Sequence, residues 1–349
     1  MKRILSILLC VALLVVVAAC GENTQVETNN SSESSTEPSK TSSSSEGTGP
    51  RVFKLRSAKY VANFDDENTV VICWGDSITQ GMAMGMGFTY PQHLQGQIGS
   101  AYRVINAGVP GETSQAISSR ANAIEICLTN EVKFAKGESK VALDRNLFKV
   151  VGENSPLTYK GFGNQLKMNS VIIDGKNYTI EFESGEEYDK GTYHLTRTDT
   201  SKALTIPANA SVKFDYSKQY KKVHCNVILV GANDGPSDAE ALIEKYKKLT
   251  VLNENYIVII PFYSADYSKE FKAAFGDKAL DIREYFVKRA HIDYEVDLSE
   301  KDQDLVAKGR IPSMYFYKDN ENDCHLNEKG YKVLGEQVYK KGVELGYWK

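Results

Sequence analysis

This chain of 349 residues has no surplus of basic charge, with 42 Lys and Arg against 45 Asp and Glu and a formal net charge of −3. It has no excess of cations with which to neutralise a phosphate backbone, so nucleic acid is not an expected partner. Proline is scarce, at 9 residues, while 42% of the chain is hydrophobic and 25% charged, which excludes a collagenous or wholly disordered polymer. No two of the five histidines (His93, His194, His224, His291, His325) stand in an HxxxH or HExxH spacing, so a metal site has weak support. Cysteine is sparse too. Beyond residue 50 only Cys73, Cys127, Cys225 and Cys324 occur, separated by 54, 98 and 99 positions and with no CxxC pair. That is not a small-domain disulfide framework, and buried free thiols are the expectation. No internal repeat is evident.

Long apolar runs are also lacking, apart from one at the start. Lys2 and Arg3 precede Ile4 to Val17, a run too short to span a bilayer comfortably but suited to a signal-peptide core. It ends Val17-Ala18-Ala19-Cys20, which resembles the bacterial lipobox, where cleavage precedes the cysteine and the thiol takes a diacylglyceryl group. Residues 1–19 are therefore read as a leader that carries Cys10 away. Cys20 becomes a membrane anchor, and the location is extracytoplasmic. From Gly21 to Pro50, 14 of 30 residues are Ser or Thr and Val26 is the one large aliphatic residue. Such a segment buries too little apolar area to offset its ordering entropy. Residues 20–50 read as a tether about 30 Å end to end, on random-coil scaling. The folded part is expected in two stretches, 51–131 and 223–349, interrupted by a segment at 132–222.

From residue 69 onward strands alternate with helices. Thr69 to Trp74 is a continuous apolar run ended by Gly75, as expected for a strand covered on both faces. Val104 to Ala107, Cys225 to Val230 and Tyr256 to Ile260 repeat the pattern, with a weaker fifth at Ala279 to Ile282. Helical patterns lie at Asp238 to Leu249 and Glu328 to Leu345. This rhythm predicts an α/β fold with a doubly wound parallel sheet of about five strands. Between 132 and 222 the rhythm breaks into period-two pieces, Tyr178 to Glu183, Tyr193 to Thr196 and Ser211 to Tyr216, with turns at Asp174-Gly175 and Ser184-Gly185. A small antiparallel β unit inserted into the α/β domain is expected there.

Four strand ends and loops carry candidate chemistry. The first strand runs into Gly75-Asp76-Ser77, which puts a serine at the carboxyl edge of the sheet, where ligands bind in open α/β folds, beside a helix N-terminus. It is not a GxSxG elbow, because Thr79 occupies the second glycine's place. The second strand ends Asn106-Ala107-Gly108-Val109-Pro110-Gly111, whose glycines let the backbone approach a ligand. The third ends Gly231-Ala232-Asn233, offering a side-chain amide, and His325 stands just before the last helix. Each alone is an ordinary turn or cap.

Together, Ser, Gly, Asn and His in this order resemble the SGNH (GDSL-type) hydrolase family, over roughly 69–125 and 223–349. The resemblance implies a flavodoxin-like sheet and acyl transfer through an acyl-enzyme, without metal or organic cofactor. Ser77 would be the nucleophile and His325 its base, with the N–H groups of Ser77 and Gly111 and the amide of Asn233 as oxyanion hole. The chain departs from the family beside His325: the pattern Asp-x-x-His would put an aspartate at Asn322, while Asp323 is only two residues before the histidine. Asp323 is the preferred orienting group. Asn322, Asp319 folding back, or a Ser-His dyad with a backbone carbonyl remain open.

Family and location together imply a short-chain O-acyl ester on a carbohydrate or cell-surface glycan as substrate, with tyrosines of the insertion as stacking faces. The alternatives are a lipase or general esterase whose acyl channel is walled by Met82, Met84, Met86 and Phe88, and a glycan-binding surface lipoprotein with impaired catalysis. An acyltransferase differs only in the fate of the acyl group.

Overall fold

The computed structural model describes residues 69–81, 88–157, 159, 170–183, 191–263 and 265–348. The leader 1–19, Cys20, the tether 20–50, the Met82, Met84 and Met86 segment and the Ser184-Gly185 turn lie outside these residues.

Five parallel strands form the central sheet. In chain order they are β1 (Thr69–Gly75), β2 (Tyr102–Gly108), then Lys222–Leu229, Tyr256–Ile259 and Ala279–Leu280. Across the sheet the order is Ala279–Leu280, Tyr256–Ile259, Lys222–Leu229, β1, β2. In parallel-strand numbering this is 5-4-3-1-2, the flavodoxin-like order, whose switch point falls between the first and third strands. The fifth strand stops two residues earlier than its apolar pattern suggests. Asp281 accepts from the Glu284 N–H and so caps a helix that starts at Ile282.

The pleat of β1 explains why its apolar run has no polar interruptions. Val71 and Cys73 face one core with α2 (Tyr90–Ile98) and the last helix (Glu328–Glu344), while Val70, Ile72 and Trp74 face a second with α3 (Ser114–Arg120) and the helix Ala239–Thr250. That helix presents Leu242, Ile243, Tyr246 and Leu249 on one buried stripe and is capped by Asp238, which accepts from the Ala241 N–H at 2.8 Å. The sheet is thus covered by helices on both faces.

The antiparallel strands form a seven-stranded sheet in the order Lys140–Leu143, Thr192–Thr196, Lys176–Glu183, Val171–Ile173, Ser211–Phe214, Ile126–Leu128, Phe148–Val150. A two-stranded pair joins Val132–Phe134 to Leu204–Ile206. Antiparallel pairing begins at Ile126, ahead of residue 132. Ile126-Cys127-Leu128 is buried throughout, so its sequence carries no alternation to mark it as a strand of a one-sided sheet. This part has its own apolar core, with Phe148, Val171, Ile180 and Leu195 at its centre. Tyr159, Tyr178 and Tyr193 are buried in that core, their rings packed inward, while Tyr216 and Tyr220 are part-exposed and Tyr188 lies outside the described residues.

Candidate active site

The site lies at the carboxyl edge of the parallel sheet, at the switch point between β1 and Lys222–Leu229. Its first element is a single helical turn, α1 (Ser77–Gln80), which follows β1 after one residue. Asp76 supplies the cap, accepting from the Ile78 N–H at 3.0 Å. Ser77 is therefore the first residue of the turn, where backbone N–H groups have no intrahelical acceptor, and it is 6% exposed. Burial pushes the Asp76 carboxyl up to about 7. The backbone N–H groups of Ile78 and Ala232 pull the other way, and the Asp234 carboxylate adds to the rise.

His325 faces Ser77 across 248 positions of sequence, its Nε2 2.9 Å from Ser77 Oγ. Its Nδ1 lies 2.8 Å from Asp323 Oδ1. A carboxylate can only accept, so Nδ1 carries the ring proton and Nε2 accepts from the serine hydroxyl. The same Asp323 oxygen also accepts the backbone N–H of His325 at 2.9 Å. This tight turn curls the chain so that an acid two residues before the histidine reaches its ring. Asn322 is exposed, and its backbone N–H donates to the Asn320 side chain. The Asp319 N–H donates to the Phe316 carbonyl; neither residue shows a contact with the imidazole among those described. The loop is anchored on both sides. Tyr317 N–H donates to the His325 carbonyl, and Asn327 caps the last helix.

The loop after β2 passes close beneath this turn. A Cβ on Gly108 would stand 2.3 Å from Gln80 N and 2.7 Å from Asp76 O, so only glycine lets β2 end against α1. Gly111 has φ +75°, the left-handed region where a side chain is strained, and among the described residues its N–H takes no protein acceptor. The Asn233 amide donates one hydrogen to the Glu112 carbonyl at 3.0 Å, which leaves its second N–H for a ligand.

Three residues escaped the sequence reading yet hold these loops in register. Asp234 accepts both the backbone N–H and the hydroxyl of Ser114, at 2.7 and 2.6 Å, and pairs with Lys245 at 3.0 Å. It ties the loop after β2 to the loop after Lys222–Leu229. Glu112, fully buried, pairs with the equally buried Arg120 at 2.7 Å. That guanidinium also donates to the Ala107 carbonyl and lies 5.7 Å from the Trp74 ring centroid. The one sequence signal was Arg120 as the last residue of a helix whose other side chains, Gln115 aside, are Ser, Ala and Ile.

A cavity of about 300 Å³ opens beside these loops, lined by Thr113, Ser114, Gln115, Ser118, Asp234, Lys245 and Lys248. None of Ser77, Gly111, Asn233 and His325 lines it.

No family model matches the chain, and no curated protein matches it. Among solved structures it is similar to a carbohydrate acetylesterase family member from Sinorhizobium meliloti, at 13% identity over 80% of this chain and 99% of that one, with a TM-score of 0.32.

Proposed function

We propose that this chain is a serine hydrolase of the SGNH type, an esterase that removes short acyl groups, O-acetyl above all, from a carbohydrate. One observation carries the reading: Ser77, His325 and Asp323 stand in line at 2.9 and 2.8 Å at the switch point of a flavodoxin-order sheet. Serine at its free pKa is a poor nucleophile, and an adjacent imidazole oriented by a carboxylate is what activates it. In this reading Ser77 Oγ attacks the ester carbonyl while its proton passes to His325 Nε2. Asp323 stabilises the resulting imidazolium. The developing oxyanion is held by the N–H groups of Ser77 and Gly111 and by the Asn233 amide. Collapse returns the proton from Nε2 to the leaving alcohol, and water then repeats the sequence on the acyl-enzyme.

The preference for a carbohydrate over an acyl lipid rests on the proposed extracytoplasmic location, where acylated glycans are the esters a tethered enzyme meets. The binder without catalysis rested on the missing Asp-x-x-His acid. With Asp323 on the imidazole, that argument falls away. The location proposed is extracytoplasmic, with the chain held at a membrane through lipidated Cys20.

The test is acetate release from an O-acetylated polysaccharide by the full chain, with Ser77→Ala as the paired control. Serine-dependent release is the expected result. Turnover confined to long-chain esters would replace the carbohydrate reading with the lipase one, and no serine-dependent turnover on either class would overturn the esterase.

A further inference from the structure

We propose that Asp323, Cys324 and His325 form an inhibitory site for a soft divalent cation such as zinc or cadmium, a mode of regulation that rests on the esterase reading above. In an extended chain the side chain of Cys324 would point away from those of its two neighbours. The turn closed by Asp323 brings it round: Cys324 Sγ lies 3.7 Å from His325 Nδ1, and one ligand atom from each of the three residues lies within 4.8 Å of the others. Tetrahedral zinc, with bonds of about 2.3 Å to sulfur and about 2.0 Å to nitrogen, requires a sulfur–nitrogen edge of roughly 3.6 Å. The observed separation is close to this, but Sγ also lies 4.0 Å from Nε2, over the ring face, so the Cys324 side chain must turn about its Cα–Cβ bond to meet an ion in the ring plane at Nδ1. The Asp323 oxygen, now 2.8 Å from Nδ1, needs to retreat by only about half an ångström to take its place on the same ion. All three residues are part-exposed, whereas Cys73, Cys127 and Cys225 are buried. Among the described cysteines, Cys324 is the one a dissolved cation can reach. A thiolate, an imidazole and a carboxylate select a soft or borderline ion over magnesium or calcium.

Binding would silence the site through the histidine tautomer. In the resting site the neutral ring carries its proton on Nδ1 and accepts from Ser77 at Nε2. A cation bound at Nδ1 moves that proton, through solvent, to Nε2, and the thiol proton is released as the sulfur–metal bond forms. The ring stays neutral but now donates toward Ser77 Oγ, so it cannot take the serine's proton. Asp323 is simultaneously drawn from the ring to the ion.

The experiment titrates cadmium and zinc into the full chain and into Cys324→Ser. It follows the thiolate-to-cadmium charge-transfer band in the ultraviolet, together with hydrolysis of a short-chain ester relative to each protein's own metal-free rate. The expected result is a band and reversible inhibition in the parent chain, both relieved by a chelator. Cys324→Ser should lack the band and need at least about tenfold more metal for half-inhibition, as loss of a ligand implies. Calcium should do nothing. Absence of the band in the parent chain, or undiminished inhibition in Cys324→Ser, would overturn the site. A band in a chain that hydrolyses no ester would keep the metal site and sink the esterase reading.

Discussion

At the scale of single residues, the site makes Asp323 and Asn322 separable. Asp323→Ala removes the acceptor that fixes the His325 tautomer, and kcat is expected to fall by about 10⁴-fold, the loss seen when a comparable triad acid is replaced. Asn322→Ala should leave steady-state kinetics within about twofold, as expected for an exposed side chain away from the ring. Equal losses in the two variants would refute the assignment. Asn233→Ala removes an oxyanion donor and should cost about 3 kcal/mol of transition-state stabilisation, seen in kcat more than in KM. Two groups, the buried Asp76 and the half-buried His93, give stability opposite dependences on pH. The Asp76 carboxyl, raised by burial from 3.8 to about 7, binds its proton more tightly in the folded state. Its contribution is present below about pH 4 and lost as pH climbs through 7. His93, lowered from 6.5 to about 4 by burial and by nearby Lys332, contributes stability above pH 6.5 that is lost as pH falls through 4. Asp76→Asn keeps a side chain able to cap α1 and should raise the melting temperature at about pH 8, while His93→Gln should flatten the loss on the acid side. Thermal melts across that range check both signs.

At the scale of elements, the site depends on how the loops after three strands are fastened together. Asp234→Ala would free Ser114 and Lys245 and let the loops bearing Gly111 and Asn233 drift apart. Kinetics should show kcat falling about ten- to a hundredfold, since small misplacements of reacting groups cost that much. Rescue by Asp234→Glu would be poor, because the two short bonds to Ser114 leave no room for another methylene. Arg120→Met strands a fully buried Glu112 carboxylate and should destabilise the fold by about 3–5 kcal/mol in chemical denaturation. Much at this scale was legible beforehand. The run Thr69 to Trp74 announced a two-sided strand, and the order Ser, Gly, Asn and His placed four residues on one edge. What stayed hidden was which side chains pair within and between the loops. Nothing in a linear reading shows that Glu112 reaches Arg120, or that Asp234 reaches Ser114 across 120 positions, because such contacts exist only once strands lie side by side. The orienting acid stayed ambiguous for a related reason: whether an acid two residues before a histidine reaches its ring depends on one turn.

At the scale of the whole molecule, the parallel and antiparallel parts hold separate apolar cores. Phe148→Ala, at a site with no exposure, should lower stability by about 3–5 kcal/mol yet leave turnover per folded molecule unchanged, which active-site titration beside a melt would show. The inward tyrosines mark the limit of reading composition: abundance of a residue type says nothing of the direction in which it points until the sheet's inner face is known. The topology also sets an order of events. β1 lies between β2, its near neighbour in sequence, and Lys222–Leu229, to which Thr69 is paired at Lys222. As the chain leaves the ribosome, β1 must wait through the whole antiparallel unit before its second partner exists, and Ser77 waits almost to the last helix for His325. Contacts of such long sequence separation are slow to form. Hydrolytic competence would therefore be the last property a newly made chain acquires, and its appearance would time the completion of folding.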